Sequence, residues 1–189
     1  MSKNFILIST VAILMFGCAT SGHHYTSQAI GLGYIQNIAV LPLENFTNSK
    51  GLEDRTRELL ITRILGRELY HVVEKGVLYH FLQDEIRTKQ KALIDQRTAK
   101  KMAREFNIEA YIVGSIDEYT LARNGSYSYP VIAITLRMVD IKTGQVVWQA
   151  SNNDSGYSTA GRLLGLTADD ATTVLFRLID KTLDTLSEG

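Results

Sequence analysis

A single cysteine, Cys18, occurs among the 189 residues, so no disulfide can form within the chain and none can hold its fold together. Neither charge is in excess. The chain has 20 basic and 20 acidic side chains, and setting Lys3 aside with the leader leaves 19 against 20. That balance gives no pull toward nucleic acid. Beyond residue 17 no apolar run approaches the roughly 20 residues that cross a bilayer as a helix. Motifs that carry chemistry are equally scarce. Gly31 and Gly33 lack the third glycine of a dinucleotide fingerprint and precede the first predicted strand instead of following one. Ser115 follows Gly114 without the GxSxG frame of a nucleophile elbow. His71 and His80 fall on different predicted elements, and the neighbouring His23 and His24 supply at most two ligands from a linker, so no metal site is expected. No cofactor and no catalytic residue is predicted. The carboxylate pair to weigh is Glu44 and Asp117, at the ends of adjacent predicted strands, which could face each other across a cleft as acid and base. A carboxylate-dependent hydrolase is therefore the rival reading from another class.

What the chain does have begins at its amino terminus. Lys3 supplies a positive charge, residues 5–16 are apolar except for Ser9 and Thr10, and Gly17 puts a small residue before Cys18. The run is about half the length of a permanent span. Residues 1–17 therefore read as a signal peptide, and a lone exported cysteine has a covalent use other than a disulfide. The segment Leu14, Met15, Phe16, Gly17, Cys18 resembles the bacterial lipoprotein signal, in which the cysteine is acylated and becomes the new amino terminus. Met15 stands where that signal usually has leucine, and Phe16 where a smaller residue is common. The resemblance implies palmitate or a similar acyl group on Cys18, the membrane as a partner through that anchor, and, because Ala19 replaces the aspartate that retains such proteins at the inner membrane, an outer-membrane location facing the periplasm. Two or more acyl chains give a stable attachment where one is marginal.

Residues 18–34 are small, polar and without period, and read as a flexible tether; residues 35–189 read as one domain. A first strand covers 35–43, with the continuous apolar core Ile38, Ala39, Val40, Leu41 expected of a strand buried on both faces, and Pro42 marks its end. A loop is predicted over 45–50. Leu52, Leu59, Leu60, Ile64 and Leu65 predict a helix over 51–68; a short strand over 70–74 and a helix over 75–86 follow. Asp95 precedes a helix over 97–106, which Asn107 ends. Strands are predicted over 110–116, 131–139 and 145–150, the last two joined as a hairpin by the turn from Asp140 to Gly144. Thr167 to Asp170 resembles a capping box opening a last helix with Val174, Leu175, Leu178, Ile179, Leu183 and Leu186 on one face. The result is an α/β layered sandwich with a mixed sheet of about five strands and about four helices. Tyr127 and Tyr129, alternating with Ser126 and Ser128, place two aromatics on one strand face, a candidate contact with a protein partner.

The pieces IAVLPLENFTN (38–48), HVVEKGVLYHFLQDE (71–85), EAYIVGSIDEY (109–119) and ITLRMVDIKTGQVVWQAS (134–151), in that order behind a lipoprotein signal, resemble the CsgG family of curli production, assembly and transport. The resemblance implies an anticodon-binding-like periplasmic α/β domain serving secretion or envelope assembly. In the pore-forming members two long hairpins per subunit build a barrel, whose strands need about 9–11 residues. Residues 123–129 and 152–166 are too short or too glycine-rich for that. The implied protein is a non-enzymatic accessory of secretion or envelope assembly, binding envelope or secretion proteins, with a homo-oligomer left open. Similar domains occur in lipoprotein activators of peptidoglycan synthases, so regulation of peptidoglycan synthesis is the alternative.

Overall fold

Ile38 and Val40 enter one apolar cluster while Ala39 and Leu41 enter a second, so the strand β2 (Asn37–Val40) is covered on both faces, as its unbroken apolar run requires. The computed structural model describes residues 22–27, 31–88, 94–125, 127–157 and 168–186. Around β2 it places, in chain order, β1 (His23–Thr26), β3 (Glu44–Asn45), α1 (Leu52–Gly66), β4 (His71–Val72), α2 (Lys75–Thr88), α3 (Gln96–Phe106), β5 (Ala110–Asn124), β6 (Tyr127–Asp140), β7 (Val146–Ser155) and α4 (Ala171–Asp184). Among the described residues the strands form one seven-stranded sheet in the order β1-β7-β6-β5-β2-β4, with β3 also beside β5. The β1, β7, β6 and β5 neighbours are antiparallel, whereas β2 runs parallel to both β5 and β4. No described helix is long and apolar enough to cross a membrane.

The helices divide between the two faces. Leu60 and Ile64 of α1 and Val174, Leu175, Leu178, Ile179 and Leu183 of α4 pack on Ile112, Ile134, Leu136 and Trp148. Each such fully buried aliphatic side chain is worth about 1.5–3 kcal/mol relative to its exposed state. On the other face Leu78 and Leu82 of α2 meet Met102 of α3, and Phe81 contacts Phe106 edge-on at 5.3 Å. The helix ends follow local chemistry. Asp95 caps α3 by accepting from the Thr98 amide at 2.8 Å, and Asn107 ends it in the left-handed region at φ 51°. The start of α4 is capped by Asp170 itself, which accepts from the Thr172 and Thr173 amides, so the capping-box reading beginning at Thr167 is shifted to its last residue.

The sheet is wider than the expected five strands for two reasons. His23–Thr26, part of the stretch read as tether, is an edge strand whose side chains are mostly exposed, so it has no apolar alternation to betray it. Glu44–Asn45, where the predicted first strand gives way to the predicted loop, makes only two residue pairs with β5. The hairpin strands are also longer than expected, β5 and β6 being paired as far as Asn124 and Tyr127. Beyond Ile116 the apolar alternation breaks down among Asp117, Glu118, Thr120, Arg123 and Asn124, which hid the extension. Gly114 lies where these strands pack closest: a Cβ there would stand 2.3 Å from the Thr135 carbonyl oxygen.

Between β1 and β2 the chain passes from one side of the sheet to the other, because β7, β6 and β5 lie between them. Polar latches fix that crossing. The Ser27 amide donates to the Val147 carbonyl, the Tyr34 hydroxyl donates to Asp140 Oδ2 at 2.6 Å, and the Gln36 and Asn37 amides donate to Glu109 Oε2 at 3.2 and 2.7 Å. Burial opposes ionisation of both carboxyls, yet the donors from Asn37 and Gln36 hold Glu109, and those from Thr143 and Tyr34 hold Asp140, below their ordinary values of 4.5 and 3.8. Their folded pKa values are depressed, so their contribution to stability is complete above those ordinary values and is lost as pH falls through the lower, folded ones. Hydrogen exchange should therefore show the amides of Ser27, Gln36 and Asn37 losing protection in acid before those of Ile112 and Ile134 in the central sheet. Simultaneous loss would contradict a separable latch.

Candidate functional site

The helices α2 and α3 cover β2 and the first part of β5, where Tyr111 and Val113 pack beneath them, and stop there. Past Val113 the same sheet face turns polar. Ser115 Oγ donates to Asp117 Oδ1 at 2.5 Å, Thr135 Oγ1 donates to Asp117 Oδ2 at 2.7 Å, and Ser151 Oγ stands 2.9 Å from Thr135 Oγ1. Thr135 gives its only hydroxyl proton to the carboxylate, so Ser151 is the donor to Thr135. A chain of hydroxyls thus runs across β7, β6 and β5 toward one negative charge, and His23 on β1 lies in register with Ser151. Arg137, exposed and in register with Val113 on one side and Gln149 on the other, sets a positive charge on the same strip. The strip is a preordered polar surface with both signs of charge.

It does not form an acid/base pair. Glu44 and Asp117 stand along neighbouring strands of one sheet, Glu44 in register with Ser115, instead of facing each other across a cleft. Asp117 has both oxygens occupied by hydroxyl donors, and the two carboxylates line different pockets, Glu44 with Arg137 and Tyr111, Asp117 with His23 and Ser151. The carboxylate-dependent hydrolase therefore loses the arrangement that motivated it. His23 and His24 sit in β1, and among the described residues no three His, Cys, Asp or Glu side chains gather as a metal site. Cys18 lies outside the described residues.

Tyr127 and Tyr129 stand at the end of the β5–β6 hairpin and are joined there by a residue the sequence did not point to. The Tyr157 ring lies 6.1 Å from that of Tyr127, nearly parallel, and 5.2 Å from that of Tyr129. Tyr157 comes just after β7, whose polar end SNNDS conceals that the strand continues to Ser155. Arg177 of α4 fixes this corner: it donates to Asp154 at 2.5 Å, to Asp169 at 2.8 Å and to the Ser155 carbonyl at 3.0 Å. The Gly156 amide also donates to the Pro130 carbonyl. Among the described residues Tyr129, Ser128 and Tyr127 have ladder partners only on β5, so the hairpin projects past the described part of β7, with Leu121 64% and Tyr127 48% exposed at its end. That projection is shorter than the strands of a transmembrane barrel.

Residues 55–153, just over half of the chain, match the family described as peptidoglycan-synthase activator LpoB. No curated protein sequence matches the chain. Among solved structures, a PelC dodecamer from Paraburkholderia phytofirmans superposes with a TM-score of 0.59 at 17% identity, covering 88% of this chain and 96% of that one. The lipoprotein GNA1162 from Neisseria meningitidis gives a TM-score of 0.58 at 15% identity, over 82% and 99% of the two chains. The protein CT253 from Chlamydia trachomatis gives 0.52 at 14%, over 80% and 95%. At those identities the structures report a shared fold. The matched family corrects the resemblance to CsgG, and with it the expectation of a role in curli assembly, transport or secretion. The fragments behind that resemblance are β2 with β3, β4 with α2, the first part of β5 and the β6–β7 hairpin, which are scaffold elements. They carry the fold and not the pore.

Proposed function

Since this chain belongs to the peptidoglycan-synthase activator LpoB family, we propose that it is a lipid-anchored, non-catalytic activator of peptidoglycan synthesis, held at the outer membrane and facing the periplasm. The observation that carries this reading is the family match over 55–153, which runs from α1 to within β7 and so includes most of the polar strip. An activator needs differential affinity for the active state of its enzyme and no chemistry of its own. A rigid sheet face carrying Asp117, Thr135, Arg137 and Ser151 suits that task, because its polar groups are ordered before the partner arrives and little entropy is lost on docking. The partner is a peptidoglycan synthase. Cys18, once acylated, keeps the domain at the membrane.

Crosslinking in intact envelopes followed by capture of the chain should recover a peptidoglycan synthase. Arg137 is exposed and packs in neither apolar cluster. Arg137→Glu should therefore leave the fold intact while weakening capture about tenfold, roughly 1.4 kcal/mol, through a reversed charge at the contact. Unchanged capture by that variant would remove the strip from the interface, and failure to recover any synthase would count against the activator reading itself.

A further inference from the structure

The register of β1 limits how far Cys18 can lie along the sheet. His23 pairs with Ser151 and Thr26 with Trp148, antiparallel, so traced backward from His23 the chain runs along β7 toward Ser155. Gly22 continues that course: it lies against Asn152, close enough that a Cβ would collide with the Asn152 side chain. Toward Ser155 is also toward the end of the β5–β6 hairpin, since Ser155 is opposite Val131 and the strand then continues through Pro130, Tyr129 and Ser128 to Tyr127.

Lengths along the strands decide the rest. Cys18 precedes His23 by five residues, which span at most about 17 Å when extended. From the level of His23 to the level of Ser155 is four residues, and from Val131 to Tyr127 another four, together about 26 Å at the rise of a strand. The projecting hairpin therefore reaches farther in this direction than the anchored cysteine can. With the strands upright and the link from Cys18 to His23 at its full reach, a bilayer surface passing through Cys18 meets the hairpin end with an overlap of about 9 Å, within the 5–10 Å to which interfacial apolar groups are buried, and a shorter link brings the end deeper.

The side chains at that end are of the kind such a surface takes. On one face of the hairpin Tyr127 is exposed, with Tyr157 stacked on it and tilted against Tyr129, and on the other face Leu121 and Arg123 are exposed. Tyrosine combines an apolar ring with a hydroxyl and is favoured at the headgroup level of membranes, where arginine can meet phosphate. We infer that the end of the β5–β6 hairpin, with Leu121, Tyr127, Tyr129 and Tyr157, is a membrane-surface seat that holds the domain upright on the leaflet carrying its lipid anchor. The seat rests on the reading that Cys18 is acylated. It leaves the polar strip beside the hairpin raised above the bilayer.

The test uses the full mature lipoprotein in vesicles of phosphatidylethanolamine and phosphatidylglycerol, with brominated acyl chains as quencher. In the Tyr127→Trp variant, tryptophan emission should be quenched several-fold more than in wild type, whose Trp148 is buried; in Lys142→Trp, at the opposite end of the sheet, it should not be. A chain that carries its acyl label and floats with the vesicles, yet shows no extra quenching in Tyr127→Trp, overturns the seat and leaves the anchor standing. Such a result together with loss of synthase capture in Tyr127→Ala/Tyr129→Ala would assign the tip to a protein contact. A chain without acyl label that does not float overturns the anchor, and the seat falls with it.

Discussion

Cys18→Ser is expected to move the protein from the membrane fraction to the released periplasmic fraction and to abolish labelling by a fatty-acid analogue. Serine offers no thiol for acylation, and none of the described helices can span the bilayer in its place. Each buried methylene of an acyl chain is worth about 0.8 kcal/mol, so losing two or more chains lowers membrane partitioning by many powers of ten. The same variant should lower activation of the synthase in cells much more than in a purified mixture, because the anchor acts through local concentration and not through the contact itself. Wild-type protein that sediments with membranes but takes no label would show attachment by another route.

Leu178→Ala is expected to cost about 2–5 kcal/mol in urea unfolding. The side chain is 0% exposed and lies in the cluster that joins α4 to the sheet and α1, so truncation leaves a cavity that the central strands are too constrained to close. The ion pairs that also link these helices, Arg63 to Asp180 at 2.7 Å and Arg67 to Asp184 at 2.7 Å, are partly exposed and contribute little by comparison. Apolar burial, and not charge pairing, holds α4 in place. A loss below about half a kcal/mol would mean that this face does not pack in the core in solution.

Periodicity revealed the parts of this fold that bury an apolar stripe. Leu60 and Ile64, Leu78 and Leu82, and Val174 through Leu183 mark three helices because the core needs one side of each, and Ile38 to Leu41 marks a strand because both its sides are covered. Asp95 and Asn107 were legible as helix ends since capping is local chemistry. The missed elements are those whose partners, and not their own side chains, make them regular. His23–Thr26 is a strand because β7 offers it an edge, and Glu44–Asn45 because β5 does. The hydroxyl chain to Asp117 was hidden for the same reason: Ser115, Thr135 and Ser151 come from three strands and meet only through register. Tyr127 and Tyr129 could be seen as a pair by alternation, whereas Tyr157, nearly thirty residues later, required the β6–β7 pairing to bring it beside them. Scaffold fragments such as IAVLPLENFTN spoke for a lipoprotein α/β domain, but those are shared by proteins with different tasks, so they misassigned the family.

That this chain switches on a peptidoglycan synthase is tested most directly by adding the purified chain to the synthase captured from the same envelope and following glycan-strand polymerisation from its lipid-linked precursor. The rate should rise with added protein to a plateau, with Arg137→Glu reaching that plateau only at higher concentration. A synthase whose rate is unchanged at concentrations where the two proteins demonstrably bind would contradict it.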